Sequence, residues 1–308
     1  MNRGIVIKST GSHYKVLSEE GRIFECTIKG RFRVKGISTT NPVAVGDRVC
    51  FSEGTGEASG LIVSIEERKN YIIRKSSNLS RQHQILAANV DQVLLLVTLI
   101  MPQTHQEFID RFLATAEAYR IRTLIVFNKT DLYGPDEIPA LKEMMSLYTG
   151  IGYECHAVSV LKRNGLDLIA AALKDKITLV AGNSGVGKSS LLNSLNPELN
   201  LKTEEISSFH EQGKHVTTFP EMHPMPFGGY VIDTPGIRGF GVADMDRNEI
   251  YHFFPEIFRK SKDCRFHNCL HLNEPGCAVR QALETGEINI KRYRSYLNIL
   301  EDENRKYR

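Results

Sequence analysis

Residues 182–189 match the phosphate-binding pattern G-x-x-x-x-G-K-[ST] and directly follow the apolar run ITLVA. Backbone N–H groups of such a loop surround phosphate oxygens, and the positive end of the following helix faces the same charge. Lys188 is predicted to reach the β- and γ-phosphates, and Ser189 to ligate Mg²⁺. A glycine-rich turn that binds nothing would not explain why lysine and serine fall at these positions. The predicted phosphate-binding set is Gly182, Asn183, Ser184, Gly185, Val186, Gly187, Lys188, Ser189 and Ser190.

A second motif, Asp233-Thr-Pro-Gly236, closes the apolar strand GGYVI. Because open α/β sheets bind ligands beyond the carboxyl ends of their strands, Asp233 is predicted to hold the Mg²⁺ hydration shell. The N–H of Gly236 is predicted to contact the γ-phosphate. Such a contact exists only before hydrolysis, so it can order the following loop. The tetrapeptide alone is a weak signal, and its place on a strand after the phosphate-binding loop strengthens it.

A third motif, Asn128-Lys129-Thr130-Asp131, follows the buried run TLIVF and matches the guanine-reading tetrad of GTPases. The Asp131 carboxylate can accept from guanine N1–H and the exocyclic amine, a donor pair that adenine does not present. Asn128 is expected to buttress neighbouring loops, and Lys129 to lie along the base. Ser159, in HAVSV, fits the segment whose backbone contacts the guanine carbonyl. The alternative for the tetrad is an ordinary polar turn.

The order of these motifs is rotated along the chain. In ordinary GTPases the phosphate-binding loop comes first and NKxD last, whereas here NKTD precedes Gly182. The site survives such a rotation if the termini of the ordinary fold lie close together, as they often do. The sequence therefore predicts a circularly permuted GTPase in which DxxG leads directly into the C-terminal part of the chain.

A cluster of metal-binding residue types lies near the C-terminus, at Cys264, Cys269, His271 and Cys277. A Cys3His set leaves no open position on tetrahedral zinc, which is typical of a structural site. His267 is an alternative fourth ligand. Three reduced cysteines without metal are the alternative to a zinc site.

The remaining sequence predicts the elements that position these motifs. Residues 1 to about 72 contain short strand candidates, around 14–17, 22–28, 48–51 and 61–65, which favour a small β-barrel. From Asn89, buried strands alternate with helices, which indicates a parallel sheet covered on both faces. The predicted units are residues 1–72, 73–240 and 241–308. A basic segment in the first unit mixes charge with an aromatic ring and predicts RNA binding, a solvated loop being the alternative, through Lys29, Arg31, Phe32, Arg33 and Lys35.

Composition and hydropathy indicate a globular protein and argue against disordered, fibrous, secreted and membrane-spanning classes. With 41% hydrophobic and 24% charged residues the chain is typical of a globular protein, and its net charge of +3 is too small to establish a polyanionic partner. The start MNRGIVIKST has no signal-peptide core, and the apolar run at residues 93–101 is too short to span a bilayer. We therefore expect a monomeric cytoplasmic protein with no membrane partner.

The barrel-like start together with ANVDQ, NKTD, GNSGVGKSS, GKHVTT, DTPG and the Cys/His cluster resembles the ribosome small-subunit-dependent GTPase A family over essentially the whole chain. The resemblance implies an α/β multidomain protein with an N-terminal OB-fold, a permuted P-loop GTPase domain and a C-terminal zinc-binding helical domain. It also implies GTP and GDP as ligands, the small ribosomal subunit and its rRNA as partners, and a role in late subunit maturation. Among the two histidines it selects His271 over His267 as the zinc ligand.

The resemblance also bears on the hydrolytic water. Ras-like GTPases place a glutamine after DxxG, but this chain has Ile237, whose aliphatic side chain cannot orient water. The family pattern points instead to His215 as the catalytic residue beside Lys188, an exposed loop histidine without a catalytic part being the alternative. Thr217 or Thr218 is expected to ligate Mg²⁺, and the sequence does not choose between them.

These predictions together describe a Mg²⁺-dependent GTP hydrolase that binds the small subunit and is released on hydrolysis. The rival hypothesis is a nucleotide-gated RNA-binding module in which hydrolysis is incidental. A metabolic P-loop kinase fits less well, because NKTD reads guanine and no substrate-phosphorylation residues are apparent.

Overall fold

The computed structural model describes residues 1–28, 42–54, 59–75, 83–201, 220–233 and 245–306. Its N-terminal part is a five-stranded barrel, closed because the first strand pairs with both the second and the fourth. The second strand pairs with the third and the fourth with the fifth, both antiparallel, and the third and fifth strands pair in parallel. The strands are β1 (Asn2–Ser9), β2 (Tyr14–Ser18), β3 (Ile23–Ile28), β4 (Arg48–Ser52) and β5 (Gly60–Ile65).

The four strand candidates in this region correspond to β2–β5, whereas β1 was not predicted. The register of β1 against β2 shifts between Val6 and Lys8, and this irregularity breaks the alternation of buried and exposed side chains. Tyr14, Val16 and Phe51 fill the barrel interior, with no more than 1% of their surface exposed.

The middle of the chain begins with a two-stranded hairpin of β6 (Tyr71–Lys75) and β7 (His83–Ala88). The boundary expected at residue 72 therefore falls inside β6. The elements that follow alternate between strand and helix as far as α4, and two strands come after it. They are β8 (Gln92–Val97), α1 (Gln106–Ala118), β9 (Arg122–Phe127), α2 (Glu137–Ile151), β10 (Glu154–Ala157), α3 (Leu166–Leu173), β11 (Ile177–Ala181), α4 (Lys188–Leu195), β12 (Glu221–Pro224) and β13 (Tyr230–Asp233).

Strands β10, β9, β8, β11 and β13 lie in that order and run parallel, so their carboxyl ends share one edge of the sheet. Every residue of β8 is buried. Leu94 and Leu96 pack into one core, while Val93 and Leu95 pack into a second core on the opposite face. Two covered faces explain why the strand sequences are continuously apolar, as predicted.

The sheet continues from β13 through the antiparallel strand β12 into the barrel and has eleven strands among the described residues. The junction is the pairing of Lys8 in β1 with Glu221 in β12, and the Lys8 ammonium lies 2.8 Å from the Glu221 carboxylate. Within the described residues, no helix has the length and apolar character needed to cross a membrane.

The C-terminal part is helical, with α5 (Pro255–Ser261), α6 (Ala278–Glu284) and α7 (Ile290–Lys306). Helix α7 packs against α1, and a fully buried Arg292 lies between them. Its guanidinium donates to Asp110 of α1 at 2.9 Å and to both oxygens of Glu256 of α5 at 2.7 and 3.1 Å. A buried network therefore joins the C-terminal helices to the parallel sheet's covering layer.

Candidate nucleotide site and metal-ligand cluster

The loop between β11 and α4 has a backbone that only glycine fits at two positions. Gly182 has φ +144°, and a Cβ there would lie 2.3 Å from the Leu96 carbonyl oxygen. Gly187 has φ +100°, and a Cβ there would lie 2.6 Å from the Asn128 side-chain nitrogen. These close approaches are the physical reason for glycine in this segment.

Lys188 begins α4 and folds back over its own loop. Its ammonium donates to the carbonyl oxygens of Gly182 at 2.9 Å and Asn183 at 2.8 Å. It also faces Asp233, at the end of β13. Burial raises the pKa of the Asp233 carboxyl, and the charges of Lys188 and His223 oppose that rise. The loop thus brings a cation and a half-buried carboxylate to one edge of the sheet.

Ser189 lies in the first turn of α4, and Asp233 ends the strand beside β11. A hydroxyl and a carboxylate are hard oxygen donors of the kind that Mg²⁺ prefers. This donor set fits the cation expected there. The other expected contributors, His215, Thr217, Thr218 and Gly236, lie outside the described residues, as does Ile237.

Asn128 connects the guanine-reading tetrad to two other loops. It is 2% exposed, and its side-chain nitrogen donates to the Val186 carbonyl at 2.9 Å. Its side-chain oxygen accepts from the Val160 N–H at 3.2 Å. One amide therefore ties the tetrad to the phosphate-binding loop and to the segment after β10, which is the buttressing predicted for it.

A cavity of 510 Å³ opens between these loops. It is lined by Asn128, Lys129, Asp131, Leu132, Val160, Leu161, Arg163, Gly187, Ser190 and Ser194. Of these residues, sequence analysis identified Asn128, Lys129, Asp131, Gly187 and Ser190, and it missed Leu132, Val160, Leu161, Arg163 and Ser194. Ser194 is one helical turn beyond Ser190, a spacing that could have placed it on the same face of α4.

Asp131 and Ser159 are joined at this cavity. The Ser159 hydroxyl donates to an Asp131 carboxylate oxygen at 2.5 Å and accepts from the Lys162 N–H at 3.1 Å. The Ser159 backbone N–H and carbonyl pair with Asn164. Ser159 therefore acts on the tetrad through its side chain in this structure. Thr130, whose N–H donates to the Val158 carbonyl at 3.2 Å, fixes the same two loops together.

The loop after β8, residues 98–105, meets both nucleotide motifs and was not predicted. The Lys129 ammonium donates to the Met101 carbonyl. Burial lowers the pKa of Lys129, and the nearby Asp131 carboxylate opposes that shift. A Cβ added to Gly185 in the phosphate-binding loop would lie 3.4 Å from Pro102 Cδ, so the two loops are in close contact. The sequence could not reveal these contacts, because it does not show that β8 lies between β9 and β11.

Cys264, Cys269, His271 and Cys277 converge, and their ligand atoms all lie within 4.8 Å of one another. His271 Nδ1 is 3.6 Å from Cys264 Sγ and 3.5 Å from Cys277 Sγ, and those two sulfurs are 4.0 Å apart. Tetrahedral zinc has Zn–S bonds of about 2.3 Å and a Zn–N bond of about 2.0 Å. This geometry requires a nitrogen–sulfur separation of roughly 3.6 Å and a sulfur–sulfur separation of roughly 3.8 Å. The cluster is therefore compatible with zinc. His267 is not part of it.

The electrostatics of the cluster suit a bound cation. Burial lowers the pKa of His271 to about 4, so its imidazole is neutral and can act as a ligand. Burial raises the pKa of the Cys269 thiol to about 12. A thiolate at this buried position consequently needs a positive partner, which a metal ion supplies.

The basic segment predicted to bind RNA, which contains Lys29, Arg31, Phe32, Arg33 and Lys35, lies outside the described residues. Its neighbours β3 and β4 both belong to the barrel. RNA binding by this segment therefore stays a prediction.

Comparison with known proteins gives relatives along the whole chain. Residues 65–243 match the RsgA GTPase family model, and residues 3–62 match the RsgA N-terminal domain. A relative from Bacteroides fragilis named small ribosomal subunit biogenesis GTPase RsgA is 56% identical over 307 residues, covering 99% of both chains. A protein of the same name from Christiangramia forsetii is 52% identical over 308 residues, covering 99% of this chain and 98% of the relative.

Two solved structures share the fold. YjeQ from Thermotoga maritima matches with a TM-score of 0.79 and 36% identity, covering 98% of each chain. YloQ, described as a circularly permuted GTPase, matches with a TM-score of 0.76 and 31% identity, covering 99% of this chain and 96% of that one. These matches confirm the predicted fold class, the rotated motif order and a GTP-hydrolysing enzyme. The chain belongs to the RsgA GTPase family.

Proposed function

We propose that this chain is a Mg²⁺-dependent GTP hydrolase that acts in maturation of the small ribosomal subunit and leaves the subunit when GTP is hydrolysed. The observation that carries the proposal is that the tetrad and the phosphate-binding loop, which the Asn128 side chain joins, line one cavity. Relatives at 52–56% identity are named for small-subunit biogenesis, and they support the choice of partner.

In the proposed site Asp131 accepts the two guanine donors while Ser159 fixes its carboxylate. Lys188 leaves the carbonyls of Gly182 and Asn183 and moves to the phosphates, where its charge is neutralised more completely. Ser189 and Asp233 would hold Mg²⁺, which would supply positive charge to neutralise the phosphates.

The residues outside the described ranges complete the proposed site. Gly236 contacts the γ-phosphate, Thr217 or Thr218 is a further Mg²⁺ ligand, and His215 orients water. These roles rest on the motif pattern and the family membership of the chain.

The C-terminal cluster is proposed to hold one structural zinc ion through Cys264, Cys269, His271 and Cys277. With the barrel it would form the surface that binds rRNA, so that residues 1–72, 73–240 and 241–308 act as RNA-binding, GTPase and zinc-binding units. Elemental analysis of protein purified without added metal tests the zinc assignment. About one zinc per chain is expected, and a value near zero would contradict it.

Turnover measured with and without purified small subunits tests the proposed function. Subunits are expected to stimulate hydrolysis by the wild type. His215→Ala should lower stimulated turnover while GTP affinity stays nearly unchanged, because the group acts mainly in the transition state. Lys188→Ala is the matched variant that should impair both nucleotide binding and turnover.

The rival, a nucleotide-gated binding module, predicts a different result. In that case GTP would change affinity for the subunit, but subunits would leave turnover unchanged. Full stimulated turnover by His215→Ala would remove the water-orienting role from that residue.

A further inference from the structure

The segment that carries the histidine of the metal-ligand cluster has an unusual backbone. His271 has φ +61°, in the left-handed region that residues other than glycine rarely adopt. Its side chain is fully buried, and the conformation directs Nδ1 toward the sulfurs of Cys264 and Cys277. A backbone held in this region requires contacts from its surroundings that fix it.

Two of those contacts come from Glu274. One carboxylate oxygen accepts from the Leu270 N–H at 2.8 Å, and the other accepts from the Leu272 N–H at 2.7 Å. The two N–H groups flank His271 on either side. One carboxylate therefore bridges the residue before the ligand and the residue after it.

Helix α7 fixes the carbonyl groups of the same segment. The Tyr293 hydroxyl donates to the His271 carbonyl at 2.5 Å, and the Tyr296 hydroxyl donates to the Leu270 carbonyl at 2.7 Å. Glu274 binds N–H groups and α7 binds carbonyl groups of one short stretch, so the backbone at His271 cannot leave its left-handed conformation without breaking some of these bonds.

We propose that Glu274 is the positioning residue of the metal site: it holds His271 in ligand geometry without itself being a ligand. Both of its oxygens are used by backbone N–H groups, so its charge stabilises the bend of the loop. This inference rests on the zinc site proposed above. Outer partners that orient ligands commonly change metal affinity by about 10- to 100-fold when removed.

Zinc affinity of the full-length chain tests the proposal. Apo protein is titrated with Zn²⁺ in competition with a chromophoric chelator, and Co²⁺ absorption reports the tetrahedral ligand set. Glu274→Ala is expected to weaken Zn²⁺ binding by about 10- to 100-fold. Glu274→Gln should weaken it less, because its remaining carbonyl oxygen can still accept one of the two N–H bonds.

Glu287→Gln is the matched control, since Glu287 is an exposed carboxylate of the same helical unit that pairs with Lys260 at 3.0 Å. It should bind zinc as the wild type does. If Glu274→Ala binds zinc as tightly as the wild type does, the Glu274 carboxylate stabilises the loop backbone but does not position the ligand. If the alanine variant does not fold, unchanged affinity in Glu274→Gln refutes the proposal instead.

The outcomes separate this inference from the proposed enzyme activity. A wild-type chain that binds no zinc would remove both the metal assignment and the role of Glu274. That result would not bear on GTP hydrolysis or its stimulation by subunits, which the turnover measurement tests separately.

Discussion

Replacing Arg292 with methionine should destabilise the contact between the C-terminal helices and α1. Arg292 is the shared cation of two carboxylates, the fully buried Asp110 and the largely buried Glu256. Its guanidinium carbon also lies 4.7 Å from the centre of the Phe254 ring. Methionine fills similar space but leaves both carboxylates without their cation. Removing one partner of a buried pair costs about 3–5 kcal/mol.

Hydrogen exchange of the α7 amides is the suitable assay, because it reports the free energy of opening this region rather than of the whole chain. A loss of about 3–5 kcal/mol corresponds to exchange faster by roughly a hundredfold to several thousandfold. Arg111→Met is the matched control. Arg111 is also on α1 and pairs with Asp302 of α7 at 2.6 Å, but it is partly exposed, and such pairs contribute about 0–1 kcal/mol.

The stability that Arg292→Met removes from the contact between α7 and α1 should depend on pH. Burial already raises the pKa of Asp110 above its ordinary value of 3.8, although Arg292 opposes the rise. Without Arg292 the folded-state pKa rises further. An Asp110 carboxylate without its cation destabilises the folded state only while it is ionised, and its raised pKa means that it is protonated as the pH falls. The loss of stability should therefore be largest at neutral pH and shrink toward pH 4. A small, pH-independent effect equal to that of Arg111→Met would refute the reasoning.

Two further variants test the nucleotide site. Asp131→Asn should weaken GTP binding by about tenfold to a hundredfold, because mispaired buried groups cost ~1–3 kcal/mol, and calorimetry with GTP and ATP measures it. Retained preference for GTP over ATP at full affinity would contradict the role of Asp131. Gly187→Ala should reduce nucleotide affinity by displacing Asn128, since the added Cβ would lie 2.6 Å from its side-chain nitrogen. Gly152→Ala, where φ is also positive (+123°) but a Cβ meets nothing within 4 Å, controls for backbone strain alone.

The parallel sheet was readable from the sequence because its signals are local. Continuous apolar runs predicted β8, β9 and β11, and each functional motif directly followed such a run. Parallel strands place their carboxyl ends at one edge, so the motifs could be expected to meet without knowledge of strand order.

The features that the sequence did not reveal depend on long-range pairing. The bulged strand β1 has no alternating pattern, and the approach of Pro102 to Gly185 depends on the place of β8 in the sheet. The Ser159 side chain meets Asp131 because β10 neighbours β9. The buried link from Arg292 to Asp110 joins residues 182 positions apart, and each of them alone resembles a surface charge in a helix.

The junction between the barrel and the parallel sheet bears on how the molecule responds to mechanical load. Among the described residues β12 pairs with β1 at one position, Lys8 with Glu221, but with β13 at four. A force that pulls the barrel away from the parallel sheet would therefore separate β12 from β1 before it separates β12 from β13, the strand that ends at Asp233. The chain segment containing His215 enters β12 at this same point. Glu221 pairs with Lys8 on one side and with Asp233 on the other, so a load on the barrel would reach the strand end that carries Asp233 directly through this residue.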